Sequence, residues 1–279
     1  MNLHIINAGS FKLDGGAMFG VVPKSIWNKL NPADEQNLCT WATRCLLVEI
    51  EDKKILIDTG IGDKQDDKFR SHFQPQGDYN LIGSLDQVGV HPDDITDVIL
   101  THLHFDHCGG AVSKINGDFV TTFPNANYWS NEKHWNWAIN PNARESASFL
   151  KENILPIKES GQLHFVKQGE SPFSFMELDW VSGHTTGMML PIIHHPKRTI
   201  AYAADLIPSA GHIRIPYVMA YDMQPQLTLQ EKEVFLQRVL ANNQIVFFEH
   251  DPLIECASVH QTERGVVMDK SFKLRDVIT

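Results

Sequence analysis

Apolar positions in this chain fall into short runs that end abruptly at an acid, a histidine or a turn. Residues 43–49 and 54–58 alternate and cluster apolar side chains as paired strands do, with Glu51, Asp52 and Lys53 as the polar turn between them. Runs of the same kind occupy 3–11, 97–100, 161–166, 173–181, 199–203 and 244–248. Helical spacing appears where Leu81, Ile82, Leu85 and Val88 share a face, and again over 131–138 and 227–243. The last of these predicts Thr228 as N-cap with Glu231 at the capping-box position. His91 before Pro92 reads as a cap to a helix start, and 63–76, charged and without a period, as a mobile surface loop. Residues 15–23 read as a hairpin or loop, and 140–158 as a polar, helix-like insertion. Strands alternating with helices in both halves predict a mixed α/β layered fold.

One stretch carries most of the chemistry: Thr101-His102-Leu103-His104-Phe105-Asp106-His107-Cys108-Gly109-Gly110, directly after the 97–100 strand. In extended chain alternate side chains share a face, so His102 and His104 can hold one ion while Leu103 points into the core. Asp106 and His107 follow the strand end and can aim at a second position, and the two glycines allow a sharp turn. Imidazole and carboxylate donors suit zinc, iron(II), manganese or cobalt. Cys108 is expected to be a small buried hydrophobe. The other acids and histidines that close apolar runs are Asp58, Asp205 and His250, and His184 lies on a loop of small residues, 182–187.

The run THLHFDHCGG resembles the HxHxDH signature of the metallo-β-lactamase superfamily. The family's other marks occur in order: Asp58, Gly183-His184-Thr185, Ala204-Asp205-Leu206 and Glu249-His250-Asp251-Pro252, so the resemblance extends from about residue 45 to 252. It implies an α/β (α+β) fold, the four-layer αβ/βα sandwich, as one domain over 1–279. An N-terminal loop (about 12–30) and a helical insertion (about 130–158) would lie near the pocket. By the same resemblance His102, His104 and His184 hold one divalent ion, Asp106, His107 and His250 a second, and Asp205 bridges them. Zinc is the first expectation, with iron, manganese or cobalt as alternatives. Asp58 would lie behind the metal loop and hydrogen-bond it. A hydroxide held by both ions would attack the substrate, with Asp106 and Asp205 as the catalytic carboxylates.

Composition then narrows the partner. A net charge of −10 and a pI near 5.7 exclude the basic footprint of a nucleic-acid binder and favour a small-molecule substrate. No leader pattern or bilayer-length apolar stretch is evident, so a cytoplasmic protein without membrane association is expected. Four scattered cysteines argue against a disulfide scaffold.

Within the superfamily, 205–212 and 217–222 are similar to the acyl-homoserine lactonases and methyl parathion hydrolase, and 16–27 to their N-terminal loop. That implies lactone or small-ester hydrolysis, with phosphotriester hydrolysis, thioester hydrolysis of the glyoxalase II type and mononuclear-iron persulfide dioxygenase chemistry as alternatives. Met18, Phe19, Phe105, His212 and Tyr221 are the expected substrate contacts, and Trp27 a further candidate for the pocket wall. Pro208 stands where lactonases of the group place a tyrosine, leaving His212, Tyr217 or Tyr221 as replacements, or the metal alone to do the task. The N-terminal loop would equally suit a homodimer contact.

Overall fold

The computed structural model describes residues 1–77 and 80–279. By contact the chain divides into two units: Met1–Ser10 with Thr43–Pro172, and Phe11–Ala42 with Phe173–Thr279.

A six-stranded sheet runs in the order Asn2–Asp14, Leu38–Ile50, Lys53–Ile57, Asp97–Ile99, Asn127–Ser130, Leu163–Phe165. Leu46–Ile50 pairs antiparallel with Lys53–Ile57 across the expected turn, where Glu51 takes φ 52°. The next three pairings are parallel, in register Leu56 to Val98 to Tyr128 to Leu163. Parallel strands carry side chains buried on both faces, which is why 55–57 and 98–100 read as unbroken apolar runs. Leu56, Val98, Leu100, Leu103, Tyr128, Trp135, Ile154 and Ile157 belong to this unit's core.

The second six-stranded sheet has the order Gly265–Phe272, Cys256–Thr262, Ile245–Phe247, Thr199–Tyr202, Met188–His194, Met176–Val181. Its one parallel pairing, Tyr202 with Phe247, places two strand ends side by side. Asp205 and His250 follow those ends, three residues on in each case. Ile192, Ile200, Val246 and Phe247 are fully buried, as are Leu236 and Val239 of the helix Pro225–Ala241 to within 1%.

Several elements differ from expectation, each for a physical reason. The segment 63–76 contains a helix, Asp67–Phe73, capped by the Asp66 side chain on Phe69 N. Phe69 and Phe73, one turn apart, meet the Phe105 ring at centroid distances of 5.0 and 4.5 Å, so this tertiary contact sustains a helix that polar composition disguised. The expected loop at 15–23 and 12–30 instead continues the first strand to Asp14 and forms short helices Gly15–Phe19 and Lys24–Trp27, with Asp14 capping the first. In the insertion, Glu132–Ile139 and Lys151–Glu159 are helical and the polar stretch between them is not. Met188–His194 is a strand despite Pro191, which sits opposite Leu178 in one ladder and lies beyond the other, whose pairing covers only Ile192–His194. The hairpin of Val112–Ile115 and Asp118–Thr121 and the C-terminal pair of strands carried no clear sequence signal. Among the described residues no helix is long and apolar enough to cross a membrane.

Candidate metal centre

In the first unit the site is built behind Asp58. This residue ends its strand with φ 56°, a left-handed conformation that costs an L-residue about 1 kcal/mol and that Asp tolerates better than most. The turn aims a fully buried carboxylate at the motif. Its Oδ1 accepts from Thr101 N at 2.8 Å, and its Oδ2 from Thr101 Oγ1 at 2.6 Å and His107 Nδ1 at 3.1 Å. Because the Thr101 hydroxyl gives its proton to Asp58, it accepts from His102 Nδ1, 3.1 Å away. These bonds assign the lone pair of both His102 and His107 to Nε2.

His104 is set the other way round. Its Nε2 lies 3.0 Å from Glu145 Oε1, which places the lone pair on Nδ1. The rings of His102 and His104 are 4.5 Å apart, and those of His102 and His107 3.9 Å. Asp106 Oδ2 stands 3.7 Å from His107 Nε2. Close packing forces the glycines: a Cβ on Gly109 would lie 1.9 Å from Ile61 O, and one on Gly110 2.2 Å from Thr59 O. Cys108 is a buried core residue whose thiol points to Leu103 O; burial pushes its pKa up to about 12.

In the second unit Asp205 is the pivot. Ala204, just before it, takes φ 41°, and Asp205 then reaches two imidazoles at once. Oδ2 is 3.1 Å from His184 Nε2, and Oδ1 is 3.0 Å from His250 Nε2. The other nitrogen of each ring is held by an acceptor: His184 Nδ1 by Asp222 Oδ1 at 2.8 Å, His250 Nδ1 by Ala42 O at 2.7 Å. Neutral rings so oriented turn lone pairs toward an anion, an arrangement that requires a cation at each contact, either a proton or a metal ion. Burial acts to lower the His184 pKa, but the Asp205 and Asp222 carboxylates outweigh it and hold the ring up at about 10 without metal. The loop carrying His184 is clamped by Glu231, whose oxygens accept from Ser182 N at 2.7 Å and Gly183 N at 2.8 Å. Glu231 is therefore not a capping-box residue. The helix begins at Pro225 after Gln224, and Thr228 bonds back to Gln224 O.

The expected substrate contacts fare unevenly. Met18 and Phe19 are 2% and 0% exposed, and Phe19 is sandwiched between Trp27 at 5.7 Å and His212 at 4.3 Å. Both therefore pack within the second unit. His212 uses both ring nitrogens, Nδ1 with Ser209 Oγ at 2.8 Å and Nε2 with Met18 O at 2.9 Å. It is a structural residue, and burial lowers its pKa to about 3. Phe105 is packed under Phe69 and Phe73. Tyr221 is the accessible member of the set, 37% exposed. Three nearby tryptophans are tied into the fold as well: Trp129, on the strand Asn127–Ser130, donates to Asp97, Trp137 donates to Glu145, and Trp135 is core.

Sequence reasoning misread Glu231 as part of a helix cap and missed Glu145, Asp222 and His134. The last is fully buried, and its Nε2 accepts from Leu103 N at 2.8 Å inside the motif. Nothing local marks these residues, since each meets its partner across 31 to 49 positions.

The donor set suits divalent ions on its chemistry: five imidazoles with defined lone-pair nitrogens, and carboxylates within each unit to complete the coordination. Residues 40–250 match the profile of the metallo-beta-lactamase superfamily. The chain belongs to that superfamily and is a metallo-hydrolase with its mixed α/β fold.

Among its relatives is an N-acyl homoserine lactonase from a Bacillus species, 25% identical, aligned over 89% of this chain and 92% of the relative. A probable metal-dependent hydrolase from Staphylococcus aureus superposes with a TM-score of 0.88 at 28% identity, covering 97% of this chain and 96% of that one. AidC, a dizinc quorum-quenching lactonase solved with a product, N-hexanoyl-L-homoserine, gives 0.81 at 23% identity over 97% and 95%, a likeness of fold.

Proposed function

We propose that this metallo-hydrolase opens lactones or cleaves small esters, using two divalent cations, zinc in the first instance. His102, His104 and His184 would hold one ion and Asp106, His107 and His250 the other, with Asp205 shared. The observation that carries this reading is the single Asp205 carboxylate giving one oxygen to each of two imidazoles, at 3.1 and 3.0 Å, as a shared ligand must. The motif order in the sequence supports the same ligand set, and the lactonase relatives support the reaction.

When bound, a pair of divalent cations supplies Lewis acidity that ionises a water near neutral pH and polarises the acyl oxygen. The protein's part is orientation and proton handling. Asp58, Glu145 and Asp222 fix ring tautomers, and Asp106 is the carboxylate that returns a proton to the leaving alkoxide. Pro208 has no side-chain donor, its carbonyl accepts from His250 N at 3.0 Å, and both His212 nitrogens are committed. Of the replacements for that tyrosine, Tyr217 and Tyr221 then remain, with polarisation by the ions alone as the alternative.

The test is metal quantification and a substrate panel on one preparation. Two divalent ions per chain with turnover of acyl lactones or esters is expected, and Asp205→Asn is expected to lose at least 100-fold in kcat/KM together with bound metal. Turnover confined to phosphotriesters or thioesters, or full activity in Asp205→Asn, would overturn the reading.

A further inference from the structure

The polar stretch that joins the helices Glu132–Ile139 and Lys151–Glu159 contains a carboxylate that is almost out of reach of solvent, Glu145, 2% exposed. A buried carboxylate must be matched by donors. Those of Glu145 come from three directions: His104 Nε2 at 3.0 Å on Oε1, and Trp137 Nε1 at 2.7 Å and Asn142 Nδ2 at 3.3 Å on Oε2. Asn142 Oδ1 accepts the backbone N–H groups of Arg144 and Glu145 at 2.8 and 3.1 Å, which sets the turn that delivers the carboxylate. Phe105 N donates to Ser148 O at 2.9 Å, so the stretch is also tied to the motif backbone, one residue beyond His104.

We propose that Glu145 is a positioning residue for the metal site. It keeps the proton of His104 on Nε2, so that Nδ1 is the ligand nitrogen, and its charge raises the basicity of that ring. The inference rests on the metal-site reading above.

Geometry makes the assignment specific. His102 and His104 follow the strand Asp97–Ile99, and His104 directly precedes the short helix Phe105–Cys108. Thr101 commits the Nδ1 of His102 and Glu145 commits the Nε2 of His104, so the two rings leave opposite nitrogens, Nε2 and Nδ1, for an ion. The acceptors behind His102 and His250 are a hydroxyl and a backbone carbonyl, whereas Glu145 is an anion. Charge-assisted hydrogen bonds are roughly twice as strong as neutral ones, so this ring is held more firmly than those two.

The experiment compares full-length wild type with Glu145→Gln, Glu145→Ala and Trp137→Phe, reading zinc affinity by chelator competition and the tautomer of His104 by nitrogen NMR. Glu145→Gln keeps an acceptor but removes the charge and is expected to weaken zinc about tenfold, and Glu145→Ala by about 10- to 100-fold. Wild type is expected to show the Nε2–H form, with a mixture in Glu145→Ala. Trp137→Phe removes one tie to the insertion while leaving the Glu145–His104 bond, and is expected to change zinc affinity less than threefold; circular dichroism checks that each variant is folded. If wild type binds zinc and the Glu145 variants bind it equally well, this inference alone fails. It fails as well if Trp137→Phe weakens zinc as much as Glu145→Ala, because folding of the stretch would then be the cause. A wild type that binds no divalent ion overturns the metal-site reading and this inference with it.

Discussion

His212 shows how burial assigns a histidine its role. Stacked on Phe19 and bonded through both nitrogens, it stays neutral in the fold because burial lowers its pKa to about 3, with Lys232 adding to the shift and Asp205 opposing it. The unfolded chain takes up that proton below about pH 6.5. Below that pH the unfolded state binds more protons than the native one, so stability falls as the solution is acidified toward pH 3. Between pH 6.5 and 4.5, wild type is expected to lose about 2.3 kcal/mol more than His212→Gln, the slope approaching about 1.4 kcal/mol per pH unit at the acid end. Urea unfolding of both chains at several pH values measures this, and parallel curves would show that His212 is not held neutral. Asp58 and Asp205 illustrate the converse, as acids whose positions at strand ends were legible in sequence. Their hydrogen-bond partners were not, because those depend on which turn conformation the chain accepts, φ 56° at Asp58 and 41° at Ala204.

At the scale of elements, a helix holds the loop that carries a candidate ligand. The helix Pro225–Ala241 buries Phe235, Leu236 and Val239, which its spacing foretold. Its Glu231, read as a cap, instead holds the two amides ahead of His184. Packing there is tight enough that a Cβ on Gly183 would lie 2.4 Å from Thr228 Oγ1. Glu231→Ala removes a charged acceptor from two N–H groups, and a loss of about 2–3 kcal/mol is expected, with reduced zinc retention through His184. Denaturant titration and metal content check this; a stability change below about 0.5 kcal/mol would show that the clamp contributes little. The helix Asp67–Phe73 teaches a related lesson. Its apolar residues are too few to show a period, and it forms because the aromatic pair it presents meets Phe105.

For the whole molecule, bound metal adds to the free energy of the native state by mass action, since the unfolded chain has no preformed site. Zinc at a thousandfold excess over its Kd is expected to add about 4 kcal/mol, which for a chain of this size corresponds to a shift on the order of 10 °C in Tm. Differential scanning calorimetry of chelator-stripped and reloaded protein measures it, and identical melting curves would mean that the proposed ligands hold no ion in the native state. His102, His104, Asp106 and His107 stand out in the chain by their density after an apolar strand, and Asp205 and His250 as polar residues that close apolar runs, because such spacings are local features that backbone geometry imposes over a few residues; His184 and the grouping of all seven as candidate ligands came from the resemblance to the superfamily. What surrounds the ligands was settled only by the tertiary structure. Glu145 meets His104 across 41 positions and Asp222 meets His184 across 38. Such pairings depend on how elements distant in sequence pack within each unit, and no periodicity or spacing encodes them.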